Sequence, residues 1–191
     1  MNYPNSIKKD YHKKTSYSNR GMDLEELINE TNKYYLEIDK AIIYKKPTPI
    51  GIDKVCYDNN SKIITKAYFK EPSTLDYNGL YKGRYVEFEA KETKSKSSFP
   101  LQNIHNHQIE HLKKVLKHKG IGFLIIRIHN IDYYLDGKYL IDYINTNERK
   151  SIPYDYIVEN GHKLQYNYNK GINYLDIVDK LYFDKGENYG K

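Results

Sequence analysis

The chain has 191 residues, with 31 Lys and Arg against 25 Asp and Glu and a formal net charge of +6. That length suffices for one domain with its own core, and the basic balance favours an anionic partner without identifying it. The single cysteine, Cys56, excludes an internal disulfide and a cysteine-based zinc cage. No run approaches the roughly eighteen apolar residues of a membrane span, so the cytoplasm is the expected compartment. The 22 tyrosines accompany abundant lysine and asparagine, as a compositional bias would produce, so their number says little about base stacking.

Residues 1–18 read as a flexible basic arm. Lys8, Lys9, Lys13 and Lys14 outnumber Asp10, Pro4 breaks any helix, and no apolar run follows that would make a signal peptide. A helix is expected over residues 22–35. Leu24, Leu27, Ile28, Thr31 and Tyr34 recur at helical spacing and face inward, while Glu25, Asn29 and Asn32 form a polar stripe. Residues 41–44 read as a short strand. Lys45-Lys46-Pro47-Thr48-Pro49 is a stiff basic turn, because proline fixes φ and restricts its predecessor. Residues 50–57 and 62–69 alternate like a hairpin with Asp58-Asn59-Asn60-Ser61 at its tip.

Asn78-Gly79 is expected as a tight turn, with strand at 80–81 and 84–91. A polar, basic loop spans 93–100. The second helix is expected at 103–119, with Ile104, Ile109, Leu112, Val115 and Leu116 inward and Gly120 closing it. Residues 121–128 are nearly all apolar, as in a central buried strand, and 131–135 read as another strand. Helical pieces are expected at 140–144, 154–158 and 172–183. The order predicts an α/β fold with a central mixed sheet flanked by helices, without repeats or an inter-domain linker.

The chemistry concentrates between Asp76 and Lys91. In a strand over 84–91, Val86, Phe88 and Ala90 share one face, and Tyr85, Glu87, Glu89 and Lys91 share the other. Glu89 and Lys91 then lie about 7 Å apart along the strand. Asp76 arrives from the preceding segment. Asp76, Glu89 and the backbone carbonyl of Ala90 offer the hard oxygens that Mg²⁺ prefers, with water completing the shell. Such a metal activates water and neutralises phosphate charge, and Lys91 orients the water or stabilises developing charge. Glu25 approaches from the first helix as an outer or water-bridged ligand. The plain alternative is a set of surface salt-bridge residues on an edge strand. Glu87 is the local rival of Glu89, but only Glu89 has a lysine two residues later. His105, His107 and His111 raise the question of zinc. His107 and His111 share a helix face and His105 does not, and no cysteine is near, so local polar or phosphate contacts are favoured. Gln108 lies on the same helix, within reach of the active-site edge.

These residues stand inside longer blocks. Asn19-Arg20-Gly21-Met22 with Leu24-Glu25, then Lys46-Pro47-Thr48-Pro49, Ser73-Thr74 with Asp76-Tyr77-Asn78-Gly79, and Phe88-Glu89-Ala90-Lys91-Glu92-Thr93 through His107-Gln108-Ile109 together resemble the RecU family of Holliday junction resolvases. That family belongs to the restriction-endonuclease-like superfamily. The resemblance implies catalytic roles for Glu25, Asp76, Glu89, Lys91 and Gln108, with Mg²⁺ as cofactor and Mn²⁺ as a substitute. It implies a homodimer that cuts four-way DNA junctions by paired symmetric incisions, in recombination and repair. It implies a nuclease domain over 19–191 with a protruding stalk at about 46–69, and DNA contacts from Arg20, Lys46, Lys54, Lys62, Lys66 and Thr74. RecA and the branch-migration helicase are the implied partners, and the nucleoid the implied place of work. The chain departs from the family at Leu75, where a threonine is usual, with an expected loss of a hydroxyl contact to phosphate or water. The hairpin tip is less basic than usual, and Glu87 replaces an aspartate. Two alternatives remain open: another metal-dependent DNA endonuclease of the superfamily, and a non-catalytic protein that binds junctions and modulates RecA.

Overall fold

The computed structural model describes residues 23–58, 61–70 and 74–184. The whole of the basic arm at 1–18, Arg20, the tip residues Asn59 and Asn60, and Ser73 therefore lie outside the described residues. Helix α1 (Leu24–Glu37) is followed by β1 (Ile42–Lys45), β2 (Ile50–Asp58), β3 (Ser61–Phe69), β4 (Tyr77–Tyr81), β5 (Arg84–Glu92) and β6 (Ser98–Pro100). Then come α2 (Asn106–Lys117), β7 (Ile121–Ile128), β8 (Ile131–Asp136), α3 (Gly137–Thr146), β9 (Ser151–Pro153) and α4 (Tyr154–Asn160). The described chain ends with β10 (His162–Lys163), β11 (Tyr166–Asn167), β12 (Gly171–Ile172) and α5 (Tyr174–Tyr182).

A six-stranded mixed sheet runs in the order β1-β4-β5-β7-β8-β10. Its β5–β7 pair is parallel and its other pairs are antiparallel. A parallel pair needs a crossover, and α2 supplies it. All eight residues of β7 are buried, because both faces of the sheet are covered. Phe123 and Ile125 pack with Val86, Phe88, α1 and α5, while Leu124 and Ile126 pack with α2, α3 and α4. This alternation decides which side of β5 carries chemistry. Val86 and Phe88 belong to the α1/α5 core, which leaves Glu87 and Glu89 on the α2 side.

Several expectations change in detail. On α1 Tyr35, not Tyr34, is the deeply buried ring, and its hydroxyl donates to Ile172 O at 2.9 Å. Asn32 is buried and accepts from Tyr174 Oη, so it leaves the expected polar stripe. Asn78-Gly79 is not a turn but the middle of β4, with Gly79 paired to Ile43 and Val86. The reversal falls at Lys82-Gly83, with φ of 46° and 76°, as a type I′ hairpin turn requires. Gly79 serves a different need: a Cβ there would lie 1.9 Å from the backbone oxygen of Ile42. Gly79→Ala is therefore expected to destabilise the fold by about 3 kcal/mol or more, read as a lower urea midpoint. An unchanged midpoint would contradict this close approach. Helix α2 ends through Lys119 at φ 62°, with Gly120 N–H donating to Val115 O at 2.9 Å, so the left-handed residue precedes the glycine.

The β2–β3 hairpin forms its own two-stranded sheet and leaves Ile52, Tyr57, Ile63, Ile64, Tyr68 and Phe69 exposed. Its register shifts on either side of Lys54. At its root, Lys70 N–H donates to Pro49 O at 2.9 Å and Lys46 N–H to Asp76 O at 2.7 Å. The second bond ties the hairpin to the segment that carries Asp76.

Candidate active site

The site forms where β4 stops covering β5. Pairing between them ends at Tyr77↔Phe88, whereas β5 stays paired with β7 as far as Glu92↔Arg127. Residues 89–92 therefore extend beyond the β4 edge, and Asp76, one residue before β4, sits at that opening. Asp76 N–H donates to Glu89 Oε2 at 3.0 Å. Gln108 Nε2 donates to the same oxygen at 2.9 Å, while Gln108 Oε1 accepts from His105 N–H at 3.0 Å. Gln108 thus closes the first turn of α2 and holds Glu89 with the other end of the same amide.

Lys91 Nζ lies 2.5 Å from Glu89 Oε1 and 3.6 Å from Asp76 Oδ2. Oε1 is buried, and the Lys91 ammonium is its close neighbour. Burial pushes the Glu89 carboxyl up to about 7; the Asp76 carboxylate adds to the rise, and Lys91 opposes it. For Lys91 burial favours the neutral amine, but Glu89 and then Asp76 outweigh it and raise its pKa. The lysine is held as a cation between two carboxylates, which suits charge stabilisation rather than proton abstraction.

The structure brings Asp76, Glu89, Lys91 and Gln108 into one cluster. Glu25 is more peripheral: it lines a cleft of about 130 Å³ with Asp76, Ala90 and Glu92, but it is half exposed and ion-paired with Lys45. Among the described residues no group of three or more His, Cys, Asp or Glu is arranged to enclose a metal. Leu75 is buried with Phe99, Ile104 and Leu112, in the core on the α2 side. The side chain at this position fills the core, so the expected loss of a phosphate or water contact there does not follow from the geometry. Thr74, half-buried, directly precedes it.

The histidines separate. His105 and His107 stack at 5.3 Å, whereas His111 Nε2 lies 2.6 Å from Glu87 Oε2. Glu87 is fully buried and also paired with Lys46. This group of three escaped the sequence reading, although a signal was present: Glu87 shares the parity of Glu89, and His111 follows Gln108 by one helical turn. Lys54, Lys62 and Lys66 are exposed on the hairpin. Lys62 lies over the Tyr57 ring at 5.7 Å, and Lys66 pairs with Asp53 at 2.5 Å.

Comparison with known proteins places the chain among relatives along nearly all of its length. The family described as Recombination protein U, RecU, matches residues 19–180. A protein of Oceanobacillus iheyensis named Holliday junction resolvase RecU is 50% identical over 196 aligned residues, covering 96% of this chain and 100% of that relative. A Bacillus cereus protein of the same name is 54% identical over 177 residues, covering 90% of this chain and 88% of the relative. A Bacillus anthracis protein of that name has the same identity and coverage.

Proposed function

The chain belongs to the RecU family, and on that premise we propose that it is an endodeoxyribonuclease that resolves four-way DNA junctions by paired symmetric incisions. The observation that carries the catalytic part is the Asp76–Glu89–Lys91 cluster at the open edge of β5. Two acidic side chains and a lysine, all partly or wholly withdrawn from water, are what a phosphodiester hydrolase needs around one phosphate.

A divalent ion fits these residues. Glu89 is a buried carboxylate whose Oε1 has the Lys91 ammonium as its neighbour, and Asp76 carries a partly exposed carboxylate beside it. Asp76, Glu89 and the Ala90 carbonyl would hold Mg²⁺, or Mn²⁺ in its place. So few protein ligands suit Mg²⁺, which keeps several of its waters. When bound, the ion lowers the pKa of a water and neutralises phosphate charge. Lys91 faces the charge that builds on the phosphate oxygens. Gln108 keeps Glu89 in the rotamer that serves the site, and Glu25 acts at its margin.

Two opposing cuts need two sites, and a homodimer with a two-fold axis supplies them. The hairpin at about 46–69 reads junction shape rather than base edges, with Lys54, Lys62 and Lys66 on backbone phosphates. The arm at 1–18, Arg20 and Thr74 add phosphate contacts to the nuclease domain at 19–191. Cooperation with RecA and with a branch-migration helicase, in the nucleoid-associated cytoplasm, completes the reading.

The test compares four-way junction, duplex and single-stranded DNA of matched sequence in Mg²⁺ and in EDTA. Symmetric nicks confined to the junction, and only with metal, are expected. Equal cutting of duplex would replace the junction with a general DNA substrate. Cutting in EDTA would remove the metal from the mechanism.

A further inference from the structure

Glu87 is wholly buried, yet it takes no part in the Asp76–Glu89–Lys91 cluster. It lies on the same face of β5 as Glu89, two residues away, or about 7 Å along the strand. Two polar rungs therefore run side by side between β5 and α2. Gln108 meets Glu89, and one turn later His111 meets Glu87 at 2.6 Å. The second rung has a third member, because Lys46 Nζ pairs with Glu87 Oε1. Both carboxylate oxygens are thus occupied, one by each partner. Lys46 and His111 keep 24% and 28% exposure of their side chains, so both partners reach the surface while the acid between them does not.

Stability alone gives no reason for this arrangement, since apolar residues of the same volume commonly serve a core as well as a buried ion pair does. What the arrangement achieves is aim. An ammonium has three N–H donors, and Glu87 uses one of them. The main chain of Lys46 is fixed as well, by its bond to the Asp76 carbonyl at 2.7 Å. The result is a cation held at a set place, one rung from the catalytic carboxylate. A DNA strand lying across the first rung presents its neighbouring phosphate to the second, and an ammonium binds phosphate as a point charge.

We propose that Lys46, aimed by Glu87 and His111, is the seat of a non-scissile phosphodiester on the strand being cut. Lys46 is the binding residue, and Glu87 and His111 are positioning residues. The inference rests on the nuclease reading, and binding measurements separate the two. Junctions carrying one neutral methylphosphonate at successive positions around the cut are bound in Ca²⁺ and cut in Mg²⁺. For the unaltered protein, one flanking position is expected to weaken binding about tenfold. Lys46→Met keeps the aliphatic stem. It is expected to bind the normal junction about tenfold more weakly, to become insensitive to that methylphosphonate, and to lower the slope of log K against log salt by about one. Glu87→Gln is expected to show the same loss of sensitivity at an unchanged thermal midpoint, whereas a merely structural role would lower the midpoint and keep the sensitivity. A Lys46→Met protein as sensitive as the parent, or a parent insensitive at every flanking position, overturns the seat. Normal binding effects without any incision would instead overturn the nuclease reading alone.

Discussion

Lys91→Ala is expected to bind a four-way junction as tightly as the parent chain and to cut it about 10²–10³ times more slowly. Binding is expected to persist because the charges proposed to meet the duplex arms are elsewhere, on the hairpin and the arm. Cutting fails because Lys91 Nζ, 2.5 Å from Glu89 and 3.6 Å from Asp76, is the cation nearest the two carboxylates. Its removal has a second consequence. Lys91 opposes the rise that burial imposes on Glu89, whose carboxyl already stands at about 7. Without that opposition Glu89 keeps its proton to higher pH, and a protonated acid is a poor metal ligand. The pH–rate profile of the residual activity therefore moves in the alkaline direction. Quantitative cleavage under single-turnover conditions, over a range of pH, reads both effects. Parental rates in the variant would reject the role, and a reduced rate with an unmoved profile would separate Lys91 from Glu89.

How far the sequence alone leads depends on how local each signal is. The parity of residues 84–91 separates Val86 and Phe88 from Glu87 and Glu89, and the structure keeps that separation, because side-chain alternation is a property of the strand itself. The apolar run at 121–128 announces a doubly covered strand for the same reason. The turn at Asn78-Gly79 fails because glycine answers two different needs. A left-handed φ is one, met here by Gly83; a close backbone approach is the other, met by Gly79 against Ile42. Nothing within the dipeptide tells them apart. The pairs β6–β9 and β11–β12 have only two or three residues per strand, too few for a period to show. In the site, Asp76, Glu89 and Lys91 carry their own chemistry in their residue types. The pair of hydrogen bonds made by Gln108 depends on where the α2 N-terminus docks against β5, and the Lys46–Glu87–His111 group joins residues 41 and 24 positions apart. Such contacts are set by tertiary packing.

Glu89→Gln is expected to abolish cutting and, in metal-free buffer above pH 7, to make the protein more stable. The isosteric amide keeps its carbonyl oxygen for Asp76 N–H and Gln108 Nε2, the two donors that now share Oε2. Its NH₂ group takes the place of Oε1, 2.5 Å from Lys91 Nζ, so the ammonium gives up that contact and turns to Asp76. Lys91 retains Asp76 as its partner. The sign follows from the pKa. The carboxyl of Glu89 rises from 4.5 to about 7 in the folded chain, chiefly through burial. Between those values the folded state binds the proton and the unfolded state does not, so stability falls as pH rises across the window. Below 4.5 both states are protonated and the contribution of Glu89 is fully present; above about 7 it is gone. Glutamine never ionises and escapes that loss, which amounts to about 3 kcal/mol. Urea denaturation in EDTA is therefore expected to favour the variant at pH 8 and to show no difference at pH 4. Added Mg²⁺ reverses the order at pH 8, because an ion that binds only the folded parent stabilises it by mass action and finds no carboxylate at this position in the variant. A variant less stable than the parent at pH 8 without metal would mean that Lys91 more than compensates the buried charge, and that Glu89 is there for the fold as much as for the reaction.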